Sequence, residues 1–342
     1  MNLYGREWSR RELEARVGKI EQIAGIKRFV SVEGKEAGVE HIQVRTGAGL
    51  SYHVTPSKGL DISLAEYHGV PISWQSPNGN VHPAFYEAEG NHWLRTASGG
   101  LLMTCGLMQV GASCDDEGEH LGLHGRYHHT PAEEVCARSS WQEDEMDLCI
   151  TGLINETSIF GGWLQLSREI SSRVGENSIL IKDTVRNMGF SPCPHMILYH
   201  FNFGFPLLME ETHVHFNSDK VSPRESHTSI QAGVEQAWQS PDAASHEQVY
   251  YHVTSNHPSV QITNPRFPLN GGTTRFQASL EWSSQTLPRL VQWNMPGAGT
   301  HVLGIEPANC HVGGRQEERE QGNLVYLAPG ETVHYEIRLN LS

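Results

Sequence analysis

Along most of the chain, apolar and polar residues alternate in short runs. HIQVRTG, LSYHVTP, ISLAEYHGVPISW, MDLCITGLI, WLQLSREISSRV and SILIKDTVRN read this way, as do His213–Phe216, SVQITN, RFQASLEW, LVQWNM and VHYEIRLNL. Such alternation puts apolar side chains on one face of an extended chain, and the Gly, Pro, Asn and Ser that bound each run mark turns. Before Gly25 the texture differs. Ser9 and Glu12 form S-x-x-E, which satisfies free N–H groups at a helix start, and Leu13, Val17 and Ile20 follow at helical spacing. The pattern predicts an all-β protein, a large antiparallel β-sandwich with a short N-terminal helix. No second helix of ordinary length is expected, which disfavours a parallel βαβ sheet. Neither a linker nor a repeat period divides the chain. The expected organisation is therefore a helical extension over residues 1–25, packed on one sandwich domain over residues 26–342.

Composition narrows the function. The 342 residues suffice for a sizeable core, and 38% hydrophobic residues fit a folded protein. The formal charge of −14, from 39 acidic and 25 basic side chains, repels phosphate backbones and anionic lipid. Neither nucleic acid nor a membrane is an expected partner. No run approaches the ~18 apolar residues of a bilayer span. The start, MNLYGREWSRRELEARV, is charged where a signal peptide needs its apolar segment. Six cysteines without a C-x-x-C pair read as reduced thiols in a cytoplasmic protein. Twenty histidines direct attention to imidazole chemistry.

Three segments carry candidate chemistry. In MILYHFNFGFPLL, strand alternation puts Tyr199, Phe201, Phe203 and Phe205 on one face and Leu198, His200, Asn202 and Gly204 on the other. The aromatic face suits a core. His200 and Asn202 then share the opposite face, either as core groups bonded to the backbone or as the lining of a cleft. In HVLGIEPANCHVGGR, Glu306 shares a side with Val302 and Gly304; apolar surroundings raise a carboxyl pKa toward the range of a general base. Its alternative reading is a strand-end glutamate before Pro307. In LGLHGRYHH, an extended chain would turn His124, Arg126 and His128 one way and Tyr127 and His129 the other. That spacing matches neither H-E-x-x-H nor a cupin set, and Arg126 between two ligands would repel a cation.

Taken in order, an L-H-G segment, an H-x-x-F segment after an apolar run and a late G-x-E-P segment resemble the aldose 1-epimerases, or galactose mutarotases. The chain is most similar to the uncharacterised branch of that superfamily catalogued as a domain of unknown function. The matching pieces are GLDISLAEYHGVPISW, GGLLMTCGL, GLHGRYHHTPAEE, YHFNFGFPLL, GIEPANCHVGGR and LAPGETVHYEIRL, which together span most of residues 58–341. The resemblance implies a mutarotase-type supersandwich that holds a small-molecule sugar in a cleft on one sheet, without cofactor or metal. It assigns His124 to the sugar ring oxygen, His200 to general acid and Glu306 to general base catalysis. For sugar contacts it points to Arg95, in LRTASGG but without the family's surrounding motif, or to Arg126 as a local alternative. Asn202, His128 and Trp293 are further candidates, with Trp74 and Trp163 as other stacking surfaces. The family's sugar-binding aspartate has no clear counterpart, and Asp219 is the nearest substitute.

The implied reaction interconverts the anomers of an aldose or modified sugar. Two other classes stay open. A metal-dependent aldose–ketose isomerase would gather His124, His128, His200 or His311 with Glu306 around a divalent cation. A non-catalytic carbohydrate-binding protein would keep the sandwich without turnover, although it would not need a matched acid and base. A phosphosugar epimerase is disfavoured by the absence of a basic cluster. Neither the identity of the sugar nor the oligomeric state can be read from the sequence.

Overall fold

A computed structural model describes residues 1–225 and 235–342. Among the described residues, two large antiparallel sheets face each other, one of twelve strands and one of nine. The twelve-stranded sheet contains Asp61–Tyr67, Leu102–Leu107, Cys193–Phe203, Thr300–Ala308, Arg289–Gly297 and Gln248–Thr254, hydrogen-bonded in that order apart from the strands outside them. The nine-stranded sheet includes Glu145–Thr157, Trp163–Arg173, Ser178–Asn187 and Thr332–Leu341 as neighbours. The expected antiparallel sandwich is therefore present, and each alternating run named above falls on one strand or, for ISLAEYHGVPISW, on successive short ones.

One hydrophobic cluster fills the space between the sheets. Tyr199, Phe201 and Phe203 enter it from the first sheet and Leu166, Ile181 and Ile337 from the second, all buried. Phe205 does not join them: the strand ends at Phe203, and Phe205 is 67% exposed. A second cluster lies on the outer face of the twelve-stranded sheet. It is built from the alternate positions of the same strands, Met103, Cys105, Met196, Leu198, Val291 and Ala308. The sheet therefore buries both of its faces in this region, which explains why the strand Cys193–Phe203 reads as nearly continuous apolar sequence.

Buried ions tie the sheets together. Arg168, fully buried, donates to Asp183 of its own sheet and reaches across to Asp61 Oδ1 (2.8 Å) and Thr104 Oγ1 (2.9 Å). Tyr199 donates to Asp183 Oδ2 at 2.8 Å. Burial pushes Asp61 up to about 6 even though Arg168 opposes the shift.

The N-terminal helix is shorter than its apolar spacing predicts. It covers Arg10–Glu14 and carries the full Ser9–Glu12 capping box, but Ile20 belongs to a separate 3-10 turn, Ile20–Gln22. Gly18 and Lys19 separate the two. Met1, Leu3, Leu13 and Ala24 nevertheless pack into the inter-sheet cluster. A second short helix, Arg315–Glu320, follows the segment that carries Glu306. At six residues, it is too brief to produce a helical stripe in the sequence.

Candidate active site

Strand register brings the two leading residues together. Phe201 stands opposite Ile305 and Leu198 opposite Ala308, so His200 and Glu306 fall at facing positions on neighbouring strands. Both point to the outer face of the twelve-stranded sheet, and His200 Nε2 lies 3.0 Å from Glu306 Oε1. On the next strand, Val291 faces Glu306 and Trp293 faces Gly304. The Trp293 ring centroid is 5.4 Å from that of His200, edge to face.

These residues form the floor of a cavity of about 830 Å³. His124 joins them, with its ring centroid 6.2 Å from that of His200. Trp93 packs against His124 at 4.9 Å, and Trp74 stands edge-on to Trp293 at 6.4 Å. The size and the aromatic, sparsely polar wall suit one small organic ligand. Apolar walls also shift the titrating groups. Burial pushes the Glu306 carboxyl up to about 8, helped by the negative charge of Glu247 and opposed by Arg224. Burial pulls His200 down to about 3 and His124 to about 4. The pair therefore shares one proton over a wide pH range, and that proton rests on Glu306.

His124 reaches the cavity through a turn, not through a strand. It adopts φ +57, followed by Gly125 at φ +73, and the chain then enters a 3-10 turn, Tyr127–His129. Gly111 grips it twice. The His124 N–H donates to Gly111 O at 2.8 Å, and Nδ1 accepts from the Gly111 N–H at 3.4 Å. With Nδ1 an acceptor, the neutral ring carries its proton on Nε2 and acts there as a donor.

This turn undoes the alternation expected for LGLHGRYHH. His128 rotates away from the cavity and is buried, its Nδ1 2.7 Å from Asp61 Oδ2. It braces the ion cluster between the sheets. His129 is buried too, stacked on Tyr86 at 4.2 Å. Arg126 is exposed outside the cavity, near Glu156. Arg95 is exposed at the end of the turn His92–Arg95 and is likewise outside. Asn202 shares the face of His200 as expected, but it is fully buried, and its amide donates to the His200 carbonyl at 2.9 Å. Of the five expected sugar contacts, only Trp293 therefore lines the cavity. Trp74 lines it as well, whereas Trp163 lies on the other sheet and Asp219 is an exposed position of an outer strand.

Residues that the sequence did not single out complete the wall. Arg224 and Glu247 pair at 3.2 Å, and the Trp293 indole N–H donates to the other Glu247 oxygen at 3.1 Å. His246, Asn91 and Ser113 line the same cavity. They come from loops, where neither alternation nor a motif marks them. Among the described residues, no three His, Cys, Asp or Glu side chains are grouped as a metal centre would require. His311 lies against Arg289, 2.9 Å away.

An acid and a base that share a proton, set beside aromatic rings at the base of an open cavity, are equipped for reversible proton exchange with a bound hydroxylated ring. The fold has a class. A "putative aldose 1-epimerase" from Klebsiella pneumoniae subsp. pneumoniae superposes with a TM-score of 0.83 at 24% identity, over 92% of this chain and 83% of that one. Galactose 1-epimerase from Lactobacillus acidophilus gives 0.61 at 12%, over 93% and 99%. A galactose mutarotase-like protein from Clostridium acetobutylicum gives 0.58 at 14%, over 94% and 99%. The architecture is the galactose mutarotase-like sandwich. Within it, residues 36–341 match the family described as Domain of unknown function (DUF4432), and the chain belongs to that family. No match is found among the curated proteins.

Proposed function

We propose that the protein is an aldose 1-epimerase-like isomerase that binds a sugar and interconverts its anomers by general acid–base catalysis. The observation that carries this reading is the 3.0 Å contact between His200 and Glu306 at the floor of a cavity flanked by Trp74 and Trp293. A cyclic hemiacetal opens when one group removes the anomeric hydroxyl proton and another protonates the ring oxygen. Moving the shared proton from Glu306 to His200, along their hydrogen bond, produces that carboxylate and imidazolium. Glu306 then takes the anomeric proton, His200 gives its proton to the ring oxygen, and the bond from C1 to that oxygen breaks. After rotation about C1–C2, the same transfers run backward and close the ring on the other face. Both protons return, and nothing is consumed.

The His124 Nε2–H is a donor suited to the ring oxygen, and Trp293 and Trp74 offer faces for the sugar's C–H groups. Arg224 and Glu247 are the charged groups of the wall and would contact hydroxyls. All six cysteines are unpaired, which supports a reducing compartment such as the cytoplasm. Among the described residues, no helix is long and apolar enough to cross a membrane.

The test is magnetisation-exchange NMR between α and β anomers across a panel of aldoses. The expected result is accelerated exchange for at least one sugar, lowered about 10²–10⁴-fold by Glu306→Gln while binding persists. Full activity in that variant, or no acceleration for any sugar that binds, rejects the reading. Elemental analysis of the active protein separates it from the metal-dependent alternative.

A further inference from the structure

Outside the cavity lining, one end of the nine-stranded sheet carries exposed apolar side chains. Residues 158–162 join the strands Glu145–Thr157 and Trp163–Arg173, and residues 188–192 leave the neighbouring strand, Ser178–Asn187, at the same end. The two turns adjoin: the Met188 N–H donates to Trp163 O at 2.9 Å, and Leu164 pairs with Asn187. Ile159 is 92% exposed, Phe160 100%, Phe190 96% and Trp163 41%. Folding gains nothing from placing two whole phenyl rings and an isoleucine in water. Three such side chains on two adjoining turns mark an interaction surface.

Charge identifies the partner. Residues 157–165 and 187–194 contain no Asp, Glu, Lys or Arg, in a chain whose formal charge is −14. The exposed Glu331, whose carbonyl accepts from the Asn187 N–H at 3.0 Å, lies at the rim, and within the patch a basic or acidic partner would find no complementary charge. Two copies of an acidic chain, by contrast, can approach only where neither presents charge to the other. The area is also sufficient. The four side chains offer roughly 600 Å² of apolar surface, taking about 200 Å² for a fully exposed ring. Two patches related by a two-fold axis bury about 1,200 Å², the lower bound of a specific interface. The exposed Thr157, Ser158, Ser191 and Pro192 extend it.

We infer that the protein forms a two-fold homodimer through Ile159, Phe160, Trp163 and Phe190, each copy presenting the same patch to the other. None of the four lines the cavity, so the contact leaves both sites open.

Sedimentation equilibrium of the purified full chain tests this. The wild type is expected at twice the 38.1 kDa chain mass at tens of micromolar, with the dimer fraction rising as salt screens the like charges. Phe160→Ser combined with Phe190→Ser is expected at the chain mass, with an unchanged circular dichroism spectrum and unchanged activity per chain. A single Phe160→Asp, which sets an acid in the contact, should do the same. A wild type that stays monomeric at every concentration, or a dimer that these substitutions leave intact, overturns the inference.

Discussion

Gly304 faces Trp293 across two paired strands, and the space above its Cα is bounded by Glu306 and His200. A Cβ there would come within 2.7 Å of Glu306 Oε1, 3.0 Å of Trp293 Cβ and 3.2 Å of His200 Cε1. Gly304→Ala is therefore expected to push the carboxyl and imidazole out of register. Overpacking of this kind costs about 1–3 kcal/mol of stability, and the loss of rate should exceed tenfold. Thermal unfolding together with anomer exchange kinetics checks both; a variant with wild-type rate would show that the Glu306–His200 spacing does not control turnover.

The pH dependence follows from the shared proton. Above about pH 8 Glu306 ionises and the pair loses its proton, which in the proposed reaction leaves no group to protonate the ring oxygen. Activity should hold on the acid side of that value and fall beyond it. Stability carries the same signature. The folded carboxyl holds its proton up to about 8, whereas the unfolded one releases it near 4.5, so stability attributable to Glu306 declines between those pH values. The slope is about 1.4 kcal/mol per pH unit. Glu306→Gln should remove the decline. Urea titrations of both proteins at pH 5 and pH 8 measure the difference.

Glu247 acts on the pair from the wall. It holds the Trp293 indole and adds a negative charge that helps to keep the Glu306 proton bound. Glu247→Gln keeps a hydrogen-bond acceptor for the indole and removes the charge. The expected result is an alkaline limb moved to lower pH by less than about one unit, because water screens a half-exposed carboxylate. A pH–rate profile gives the shift, and tryptophan fluorescence reports whether the indole stays in place. An unmoved limb would show that Glu247 has no electrostatic hold on the site.

Arg168 compensates Asp61 and Asp183 in the space between the sheets. Arg168→Met leaves both acids buried without their cation, which costs about 3–5 kcal/mol. Asp61, pushed up to about 6 even beside Arg168, can take up a proton at pH 5, so the loss should be smaller there than at pH 8. Denaturant unfolding at the two values checks the prediction. Because His128 and Thr104 share the cluster with Asp61, the variant should also weaken the support beneath the cavity floor.

Much of this arrangement was legible in the sequence where alternation governs it. Tyr199, Phe201 and Phe203 mark the core face of their strand, which leaves His200 outward, and the same reasoning places Glu306 beside Gly304. The distance between the two residues was not legible, because pairing register depends on the whole sheet. Reading His124, Arg126 and His128 as one face went wrong for a local reason. His124 itself takes a left-handed conformation, which is uncommon outside glycine, and nothing in LGLHGRYHH announces it. Arg224 and Glu247 escaped notice because loop residues follow no period. The helix prediction erred by length: the apolar spacing from Leu13 continued past Gly18, where the chain had already left the helix.

The outer face of the large sheet has a practical consequence for anyone wishing to redirect this protein. Along each strand of the floor, one set of alternate side chains packs between the sheets and the other builds the outer cluster and the cavity wall. Met103, Val291 and Met295 line the cavity, the first two also as members of the outer cluster, and varying them as a set reshapes the wall while the alternate residues go on specifying the packing between the sheets. Specificity and foldability are written in interleaved letters, and a library confined to one set should leave the other readable.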